Sequence, residues 1–361
     1  ATPTVSVVLA ATATDAPQTP TATDVPPTAT PAPTATPAPA YVPAAPAVAL
    51  AGITHAWQTW NNCGPATVGM NLSYYGSTVN QAQIAATLRP NQDDKNVSPE
   101  EMAAYARSQG FEAVVRVNGD DDRLRLLLSN GFPVLIETWY EDDPSDGLGH
   151  YRLLVGYDDA MQQWIAYDSY DKRGLDFNQP YAGIRFSYDE LRQLWRVFNH
   201  VYVVIYPADR APLVNAILGE DADGRAMWER ALAGAKAEVA ANPADPFAWF
   251  NLGSDLVAAG DYEAAAGAFD QARHLGLPWR MLWYQFGPFR AYYEIGRFDE
   301  VISLADATLR NAITLEELHY WKGMAYQGKG ELPAARAAYE TALKYNPNHT
   351  RASEALAAMG Q

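Results

Sequence analysis

The stretch HAWQTWNNCGPATVGMNLSYYG, residues 55–76, contains the single cysteine of a 361-residue chain. Cys63 stands directly before Gly64 and Pro65, and proline is tolerated in the first turn of a helix. The apolar spacing that follows predicts a helix from Gly64 to Tyr75. A thiol at the start of a helix ionises readily, because unpaired backbone N–H groups and the helix dipole favour the thiolate. A lone cysteine is often only a small buried hydrophobe, but this setting favours a nucleophile.

A glutamine lies shortly before Cys63 in the same stretch. The side-chain amide of Gln58 could donate to the oxyanion of a tetrahedral intermediate, together with the backbone N–H of Cys63. The alternative is that Gln58, which lies between Trp57 and Trp60, only caps a loop.

Two further polar residues fall on predicted strands later in the chain. The runs PVLIETWY, HYRLLVGY, WIAYD and VYVVIY are apolar, β-branched and aromatic, which predicts an antiparallel sheet after the first helices. His150 opens the second run and Asp168 ends the third. A hairpin joined near Asp158 to Gln162 would bring both side chains to one sheet edge. A Cys–His pair oriented by a third polar group is the arrangement that activates a thiol for acyl transfer.

These motifs resemble those of the double-glycine-leader peptidase family of the papain-like superfamily, specifically its stand-alone secreted relatives. The resemblance spans about residues 50–207 and implies an α+β papain-like fold. It makes Cys63 the nucleophile and His150 the general base. It makes Asp168 the carboxylate that orients the base, and Gln58 the oxyanion donor. The family often has Asp-Pro where this chain has Asp168-Ser169, and neither a metal nor an organic cofactor is implied.

Other polar residues near these motifs have to be weighed as well. His55 is the rival to His150, because it lies close to Cys63 in sequence. The acidic run EDDPSD at residues 141–146 could select basic substrates or hold Ca²⁺. Its spacing matches no metal motif, so a solvated loop is favoured. The sequence contains no phosphate-binding glycine loop, HExxH or CxxC.

The N-terminal region has a different composition. Residues 1–48 contain 11 Pro, 11 Thr and only two charged residues, which predicts an extended arm that buries no core. Its β-prone segment TVSVVLA, residues 4–10, could add a strand to a neighbouring copy. A homo-oligomer or filament assembled through the arm is therefore a hypothesis. Because such tracts are common in bacterial surface proteins and the chain starts at Ala1, we expect a secreted or cell-surface protein whose signal segment has been removed.

The C-terminal region is rich in alanine and repeats. Gly260, Gly296 and Gly330 are 36 and 34 residues apart, and similar aromatic and alanine positions recur around each. The pattern resembles the tetratricopeptide repeat, an all-α solenoid, here with three units of which the middle one is degenerate. Such repeats present grooves for protein partners. Three aromatic residues of the middle unit could line a groove or fill the space between helices: Trp279, Trp283 and Tyr284.

The length and net charge of the chain limit its possible domain organisation and partners. The chain is too long for one core, and we predict an arm at 1–48, a papain-like domain at 49–210 and a repeat domain at 211–361. The net charge of -16 argues against a nucleic-acid partner. The longest apolar run, VYVVIY, is far below the ~20 residues of a membrane-spanning helix, so no transmembrane segment is expected.

Two functions follow as hypotheses. The first is a cysteine peptidase that acts on a peptide or protein substrate and binds a protein partner through its repeats. The second is a catalytically silent structural or adaptor subunit of a cell-surface polymer, assembled through the arm and the repeats. A papain-like domain can persist as a scaffold after its activity is lost.

Overall fold

The computed structural model describes residues 40–143 and 146–360. The predicted arm lies outside the described residues as far as residue 39, and so does its β-prone segment at residues 4–10. The helices are α1 (Cys63–Tyr74), α2 (Gln81–Leu88), α3 (Pro99–Ser108), α4 (Asp121–Ser129), α5 (Tyr188–Arg196), α6 (Ala211–Leu218), α7 (Gly224–Ala241), α8 (Pro246–Ala259), α9 (Tyr262–His274), α10 (Gly287–Glu294), α11 (Phe298–Leu309), α12 (Glu316–Gly328), α13 (Leu332–Tyr345) and α14 (Thr350–Met359). The strands are β1 (Ala47–Ala49), β2 (Glu112–Arg116), β3 (Val134–Asp143), β4 (Asp146–Asp158), β5 (Gln163–Asp168), β6 (Ile184–Ser187) and β7 (Tyr202–Tyr206). Short 3-10 turns cover Ala208–Arg210, Gly219–Ala222 and Trp279–Trp283.

The strands of the described chain form one antiparallel sheet, as the sequence predicts. Their order is β2-β7-β3-β4-β5-β6, and β1 pairs with the end of β4. The predicted hairpin of β4 and β5 is confirmed, with Arg152 opposite Asp168. Because side chains alternate along a strand, His150 and Arg152 share a face of the sheet with Asp168. Cys63 packs with Tyr151 and Leu153, which lie on the opposite face, so residues from both sides of the sheet contribute to the candidate site.

Helices cover both faces of the sheet. On one face α1, α2 and α3 bury residues such as Val68 and Met102 against it. On the other face α4, α5 and α6 bury Leu124, Trp195 and Val214. The α+β arrangement is therefore a sheet held between two helical layers, and α1 packs directly against β4, where Thr67 Oγ1 donates to the Tyr151 carbonyl at 3.3 Å.

Local signals predicted some elements and missed others. The helix predicted at Gly64 to Tyr75 is confirmed as α1. Helix α3 begins with a capping box, since the Glu101 carboxylate accepts from the Ser98 N–H at 2.8 Å and the Ser98 hydroxyl accepts from the Glu101 N–H at 3.3 Å. The sequence does not reveal α2, whose apolar stripe consists of Ile84 and Leu88 alone. It also does not reveal β1, β2, β6 and α5, of which the strands are only three to five residues long.

The C-terminal part is helical and repetitive, as predicted. The helix pairs α8–α9, α10–α11 and α12–α13 follow one another, with α7 before them and α14 after them. Gly260, Gly296 and Gly330 lie in the turns within the pairs, with φ of 79°, 78° and 78°, which glycine adopts without strain. The middle pair departs most, since α10 has 8 residues where α8 has 14. None of the helices in the described ranges is long and apolar enough to cross a bilayer.

The helical part packs firmly against the sheet. The ring centroid of Phe198 lies 6.1 Å from that of Trp139 and 6.1 Å from that of Tyr284, so one aromatic cluster joins the two regions. Arg196 adds an ion pair to Asp245 at 2.7 Å. The domain limits at residues 48 and 210 stay predictions.

Candidate active site

Cys63 is the first residue of α1, and the buried side chain of Arg89 fixes the loop that precedes it. Arg89, which directly follows α2, is only 4% exposed. Its guanidinium donates to the Trp60 carbonyl at 3.2 Å and to the side-chain oxygen of Asn62. Asn62 in turn donates to the Thr59 hydroxyl at 2.7 Å. These contacts fix the backbone that presents the thiol.

The imidazole of His150 lies between Cys63 and Asp168. Nε2 of His150 is 2.9 Å from Oδ1 of Asp168, and the same ring hydrogen-bonds to the thiol. Because Nε2 is engaged by the carboxylate, Nδ1 is the ring nitrogen left for the thiol. Burial opposes a positive charge on the ring, but the charge and hydrogen bond of Asp168 outweigh burial and raise the pKa of His150 to about 9.

The pKa of the Cys63 thiol is shifted in the opposite direction. Burial disfavours the Cys63 thiolate, but the hydrogen bond and positive charge of His150 prevail and lower its pKa. Backbone hydrogen bonds at Tyr151 and Gly64 lower this pKa further. A histidine with a raised pKa beside a cysteine with a lowered pKa favours the thiolate–imidazolium pair.

Asp168 is completely buried, and its two oxygens serve different partners. Oδ1 accepts from the backbone N–H groups of Tyr170 and Asp171 at 2.7 and 2.8 Å, besides its contact with His150. Oδ2 lies 2.8 Å from Nε of Arg152. Burial alone would raise the pKa of Asp168, but His150 and Arg152 hold it well below its usual range. The carboxylate is therefore ionised and fixed in place.

Gln58 is tied to the residue after Asp168. The Ser169 hydroxyl donates to the side-chain oxygen Oε1 of Gln58 at 2.8 Å. The backbone N–H of Gln58 donates to the backbone carbonyl of Ser169 at 2.9 Å. Since the amide oxygen is engaged, the N–H₂ group of Gln58 is the part that can serve a substrate. Gln58 lines the same cavity as Cys63, which suits the predicted oxyanion donor.

The rival histidine is placed differently. Nε2 of His55 lies 2.7 Å from the Asp168 carbonyl oxygen, and its ring stacks on Tyr181 with centroids 3.5 Å apart. Burial lowers the pKa of His55. His55 therefore buttresses the backbone of Asp168, and His150 is the histidine that contacts the thiol.

A cavity of about 500 Å³ opens beside the thiol, and the helical part of the chain forms one of its walls. Arg280, Trp283 and Tyr284 line it together with Cys63 and His150. Trp283 is 6% exposed and Trp279 is 46% exposed, so the aromatic residues singled out in the middle repeat divide between the cavity wall and the outer surface. A neighbouring cavity of about 430 Å³ shares Gln58, Tyr140 and Tyr170 with the first.

No metal centre is apparent in the described ranges. No group of three or more His, Cys, Asp or Glu side chains there is arranged to hold a metal ion. In the acidic run at 141–146, the Glu141 carboxylate accepts from Nε1 of Trp139 at 2.8 Å, and residues 144–145 lie outside the described residues.

The four residues predicted from the sequence come together, and the structure adds others that the sequence does not assign to the site. Arg152 carried a signal, because a charged residue two positions after His150 in an apolar run shares its face. Ser169 was visible only as a departure from Asp-Pro. Lys95 and Tyr284 reach the cavity through tertiary packing, which no local pattern reveals.

Comparisons with known proteins agree with this architecture. Residues 51–202 match the model of the peptidase C39-like family, and residues 316–349 match the tetratricopeptide-repeat model. No curated protein matches the chain significantly. A C39-like peptidase structure from Bacillus anthracis is 14% identical with a TM-score of 0.34, and the match covers 44% of this chain and 96% of that one. The peptidase domain of Streptococcus ComA, a bifunctional ABC transporter, is 17% identical with a TM-score of 0.34, over 44% and 99%.

A third solved structure is also similar to part of this chain. A fragment of MamA from Desulfovibrio magneticus RS-1 is 21% identical with a TM-score of 0.32, over 42% of this chain and 94% of that one. These likenesses are distant, and the family models carry the assignment. Residues 51–202 are thus a domain of the peptidase C39-like family, and a tetratricopeptide repeat follows it at residues 316–349.

Proposed function

We propose that this protein is a cysteine peptidase in which Cys63 attacks the carbonyl carbon of a peptide bond. The observation that carries the proposal is the continuous relay from thiol to imidazole to buried carboxylate, with Nε2 of His150 2.9 Å from Asp168. The pKa shifts of Cys63 and His150 both favour the thiolate–imidazolium pair that such an attack needs.

The reaction divides into two halves. The Cys63 thiolate forms a bond to the carbonyl carbon, and the negative oxygen accepts hydrogen bonds from Gln58 and the Cys63 N–H. As the C–N bond breaks, His150 gives its proton to the leaving amine and a thioester remains on Cys63. His150 then takes a proton from water, whose oxygen attacks the thioester. The carboxylic acid leaves, and the thiolate–imidazolium pair is restored.

Labelling with an electrophile tests this assignment. Because the chain has one cysteine, a peptidyl acyloxymethyl ketone can label only Cys63, and intact mass spectrometry gives the rate directly. We expect rapid labelling of the wild type and a loss of about 100-fold or more in His150→Ala. His55→Ala is the matched control, because this histidine is close to Asp168 yet does not contact the thiol. Equal slow labelling of wild type and His150→Ala would contradict the proposal.

The repeats and the arm extend the proposal beyond the catalytic domain. We infer that the repeats bind a protein partner and that the Pro/Thr-rich arm displays the enzyme outside the cell. Protease shaving of intact cells, followed by peptide mapping, tests the location, and detection of the peptides only after lysis would contradict it. The silent-subunit alternative depends on assembly through the arm at residues 1–48 and the repeats. It predicts slow labelling of Cys63 in an assembled polymer, which the same electrophile assay detects.

A further inference from the structure

His150 lies on a part of the sheet that only two strands form. Strand β4 pairs with β5 from Arg152 onward, and β3 pairs with β7 only at Val134–Ile136. Among the strands of the described chain, residues 138–141 of β3 and 147–150 of β4 pair only with each other. The histidine of the relay is therefore on a two-stranded ribbon that extends beyond the sheet. Such a ribbon is marginally stable without further packing.

The helical part of the chain packs against this ribbon through an aromatic residue of β3. Trp139 is 2% exposed, and its ring centroid lies 6.1 Å from that of Phe247 in α8. The same ring covers Gly147 on the neighbouring strand. Leu148 packs against the apolar cluster that contains the core of the repeats. Burial of these apolar groups holds the ribbon against α8.

A second contact reaches the residue directly before His150. Tyr284 follows the 3-10 turn Trp279–Trp283 of the middle repeat. Its ring lies against Gly149, where an added Cβ would be 3.0 Å from the ring, and a hydrogen bond joins the Gly149 backbone to its hydroxyl. Gly149 is directly opposite Trp139 in the ladder. The turn and α8 therefore hold two paired positions of the ribbon.

The close approach of the ring accounts for the glycine at this position. Gly149 does not belong to the glycines with positive φ in the described residues, so its backbone conformation does not demand glycine. Glycine inside a strand weakens the strand, and it often marks a place where another group comes close to the backbone. Here that group is the Tyr284 ring. The irregular middle repeat, with its short helix α10, thus reaches the strand that carries His150.

Both partners of the imidazole are fixed independently of the ribbon. Cys63 begins α1, and Arg89 holds the loop before it. Asp168 is held by two backbone N–H groups of the loop that follows it. A shift of the ribbon would therefore move His150 relative to the thiol and to the carboxylate at once. Displacements of about 1 Å in such a site are enough to cost a large part of the activity.

We propose that Tyr284 is a positioning residue for His150, so that the middle repeat forms part of the catalytic unit. Its ring and hydroxyl fix Gly149 and thereby the segment of β4 that carries the imidazole. This inference deepens the proposed peptidase function and rests on it for the role of His150.

Alkylation of Cys63 by iodoacetamide as a function of pH tests the positioning role in the 361-residue chain. The midpoint of the profile gives the apparent pKa of the thiol, and the plateau at high pH gives the access of the reagent. Tyr284→Ala should raise this apparent pKa by about one unit and therefore slow alkylation at pH 7 by about tenfold. The plateau should not fall, because the cavity has lost part of a wall. An unchanged apparent pKa in folded Tyr284→Ala would overturn the proposal.

Two further variants separate positioning from a general loss of stability. Tyr284→Phe retains the ring and loses only the hydrogen bond, so its alkylation rate at pH 7 should stay within about threefold of the wild type. Tyr293→Ala is the matched control, because Tyr293 is also partly buried against the repeat core. Its ring contacts lie within the repeats, with Phe298 at 5.5 Å and Trp321 at 6.2 Å between centroids. The same rise in thiol pKa in Tyr293→Ala would indicate general loosening and reject the role of Tyr284.

A double variant tests the contact itself. Gly149→Ala places a Cβ 3.0 Å from the Tyr284 ring, so alkylation at pH 7 should slow several-fold. Tyr284→Ala vacates that space, and adding Gly149→Ala to it should cause no further loss. Two independent sites would instead give losses that multiply. No slowing by Gly149→Ala, or a slowing that persists in full beside Tyr284→Ala, would overturn the contact.

The outcomes separate this inference from the proposed function. A raised thiol pKa in Tyr284→Ala, with no peptide cleavage by the wild type, would support the positioning role and reject the peptidase. Cleavage with the same kcat and KM in wild type and Tyr284→Ala would support the peptidase and reject the positioning role. A higher KM with unchanged kcat and unchanged thiol pKa would make Tyr284 a substrate contact only, which also rejects the positioning role.

Discussion

Asp168→Asn removes one charge and leaves the shape of the site nearly unchanged. Burial and the charge of Arg152 lower the pKa of His150, but the charge and hydrogen bond of Asp168, together with the hydrogen bond to Cys63, raise it to about 9 against an ordinary 6.5. That difference corresponds to about 3 kcal/mol at about 1.4 kcal/mol per pH unit. The ratio of the thiolate–imidazolium pair to the neutral pair should therefore fall by roughly 300-fold.

Alkylation of Cys63 by iodoacetamide measures this ratio as a function of pH. An ordinary thiol with a pKa of about 8.5 is only about 3% thiolate at pH 7, so the variant should react at least about 30-fold more slowly than the wild type. Its apparent thiol pKa should rise. In the wild type, peptide hydrolysis should decline above about pH 9, because His150 then loses the proton that the leaving amine needs.

The same substitution has a cost in stability. Arg152 is fully buried and would lose the carboxylate 2.8 Å from its Nε, which costs about 3–5 kcal/mol when a buried pair is broken. Because the pKa of Asp168 is depressed on folding, the wild type gains this stability above the unfolded pKa and loses it as pH falls through the folded one. Asp171→Asn is the control, since Asp171 lies 3.9 Å from Arg152 and makes no contact with the imidazole. A folded Asp168→Asn protein with the wild-type alkylation profile would refute the relay.

Three further substitutions test separate parts of the site and fold. Ser169→Ala should lower kcat about tenfold with little change in KM, because Gln58 loses the hydroxyl that orients its amide. Ser169→Thr should retain activity, and the alkylation of Cys63 should be unaffected. An unchanged kcat in Ser169→Ala would contradict this positioning role. Glu137→Gln should change the free energy of unfolding at pH 7 by less than about 1 kcal/mol in a urea titration, since burial raises the pKa of Glu137 and favours its neutral form. A loss of several kcal/mol would indicate a buried anion. Gly147→Ala should destabilise the protein by about 1–3 kcal/mol, because the added Cβ would lie 2.0 Å from the Trp139 ring. Gly267→Ala, with open space around it, should be neutral or stabilising. Equal melting temperatures of the two variants would argue against the tight packing at Gly147.

The sequence predicts the parts of the site that obey local rules. Cys63 before Gly64 and Pro65 indicates a helix start, and the hairpin of β4 and β5 follows from two apolar runs around a turn. Period-two alternation then brings His150 and Asp168 together. The outer glycines of the repeats are likewise readable, because a left-handed turn favours glycine.

The remaining features depend on contacts between residues far apart in sequence. Tyr284 reaches Gly149 only because the repeats pack on the sheet, and nothing around either residue specifies that contact. Arg89 and Lys95 lie at the two ends of a loop, and the position of this loop depends on the buried guanidinium of Arg89. Helix α2 was missed because two buried residues do not make a clear amphipathic stripe.

Peptide cleavage by the purified 361-residue chain tests whether Cys63 is a peptidase nucleophile. A peptide library containing acidic, neutral and basic residues would be incubated with wild type and with Cys63→Ala, and new termini would be identified by mass spectrometry. New termini are expected with the wild type and none with Cys63→Ala. Absence of cleavage by folded wild type, or the same cleavage by Cys63→Ala, would contradict this role of Cys63.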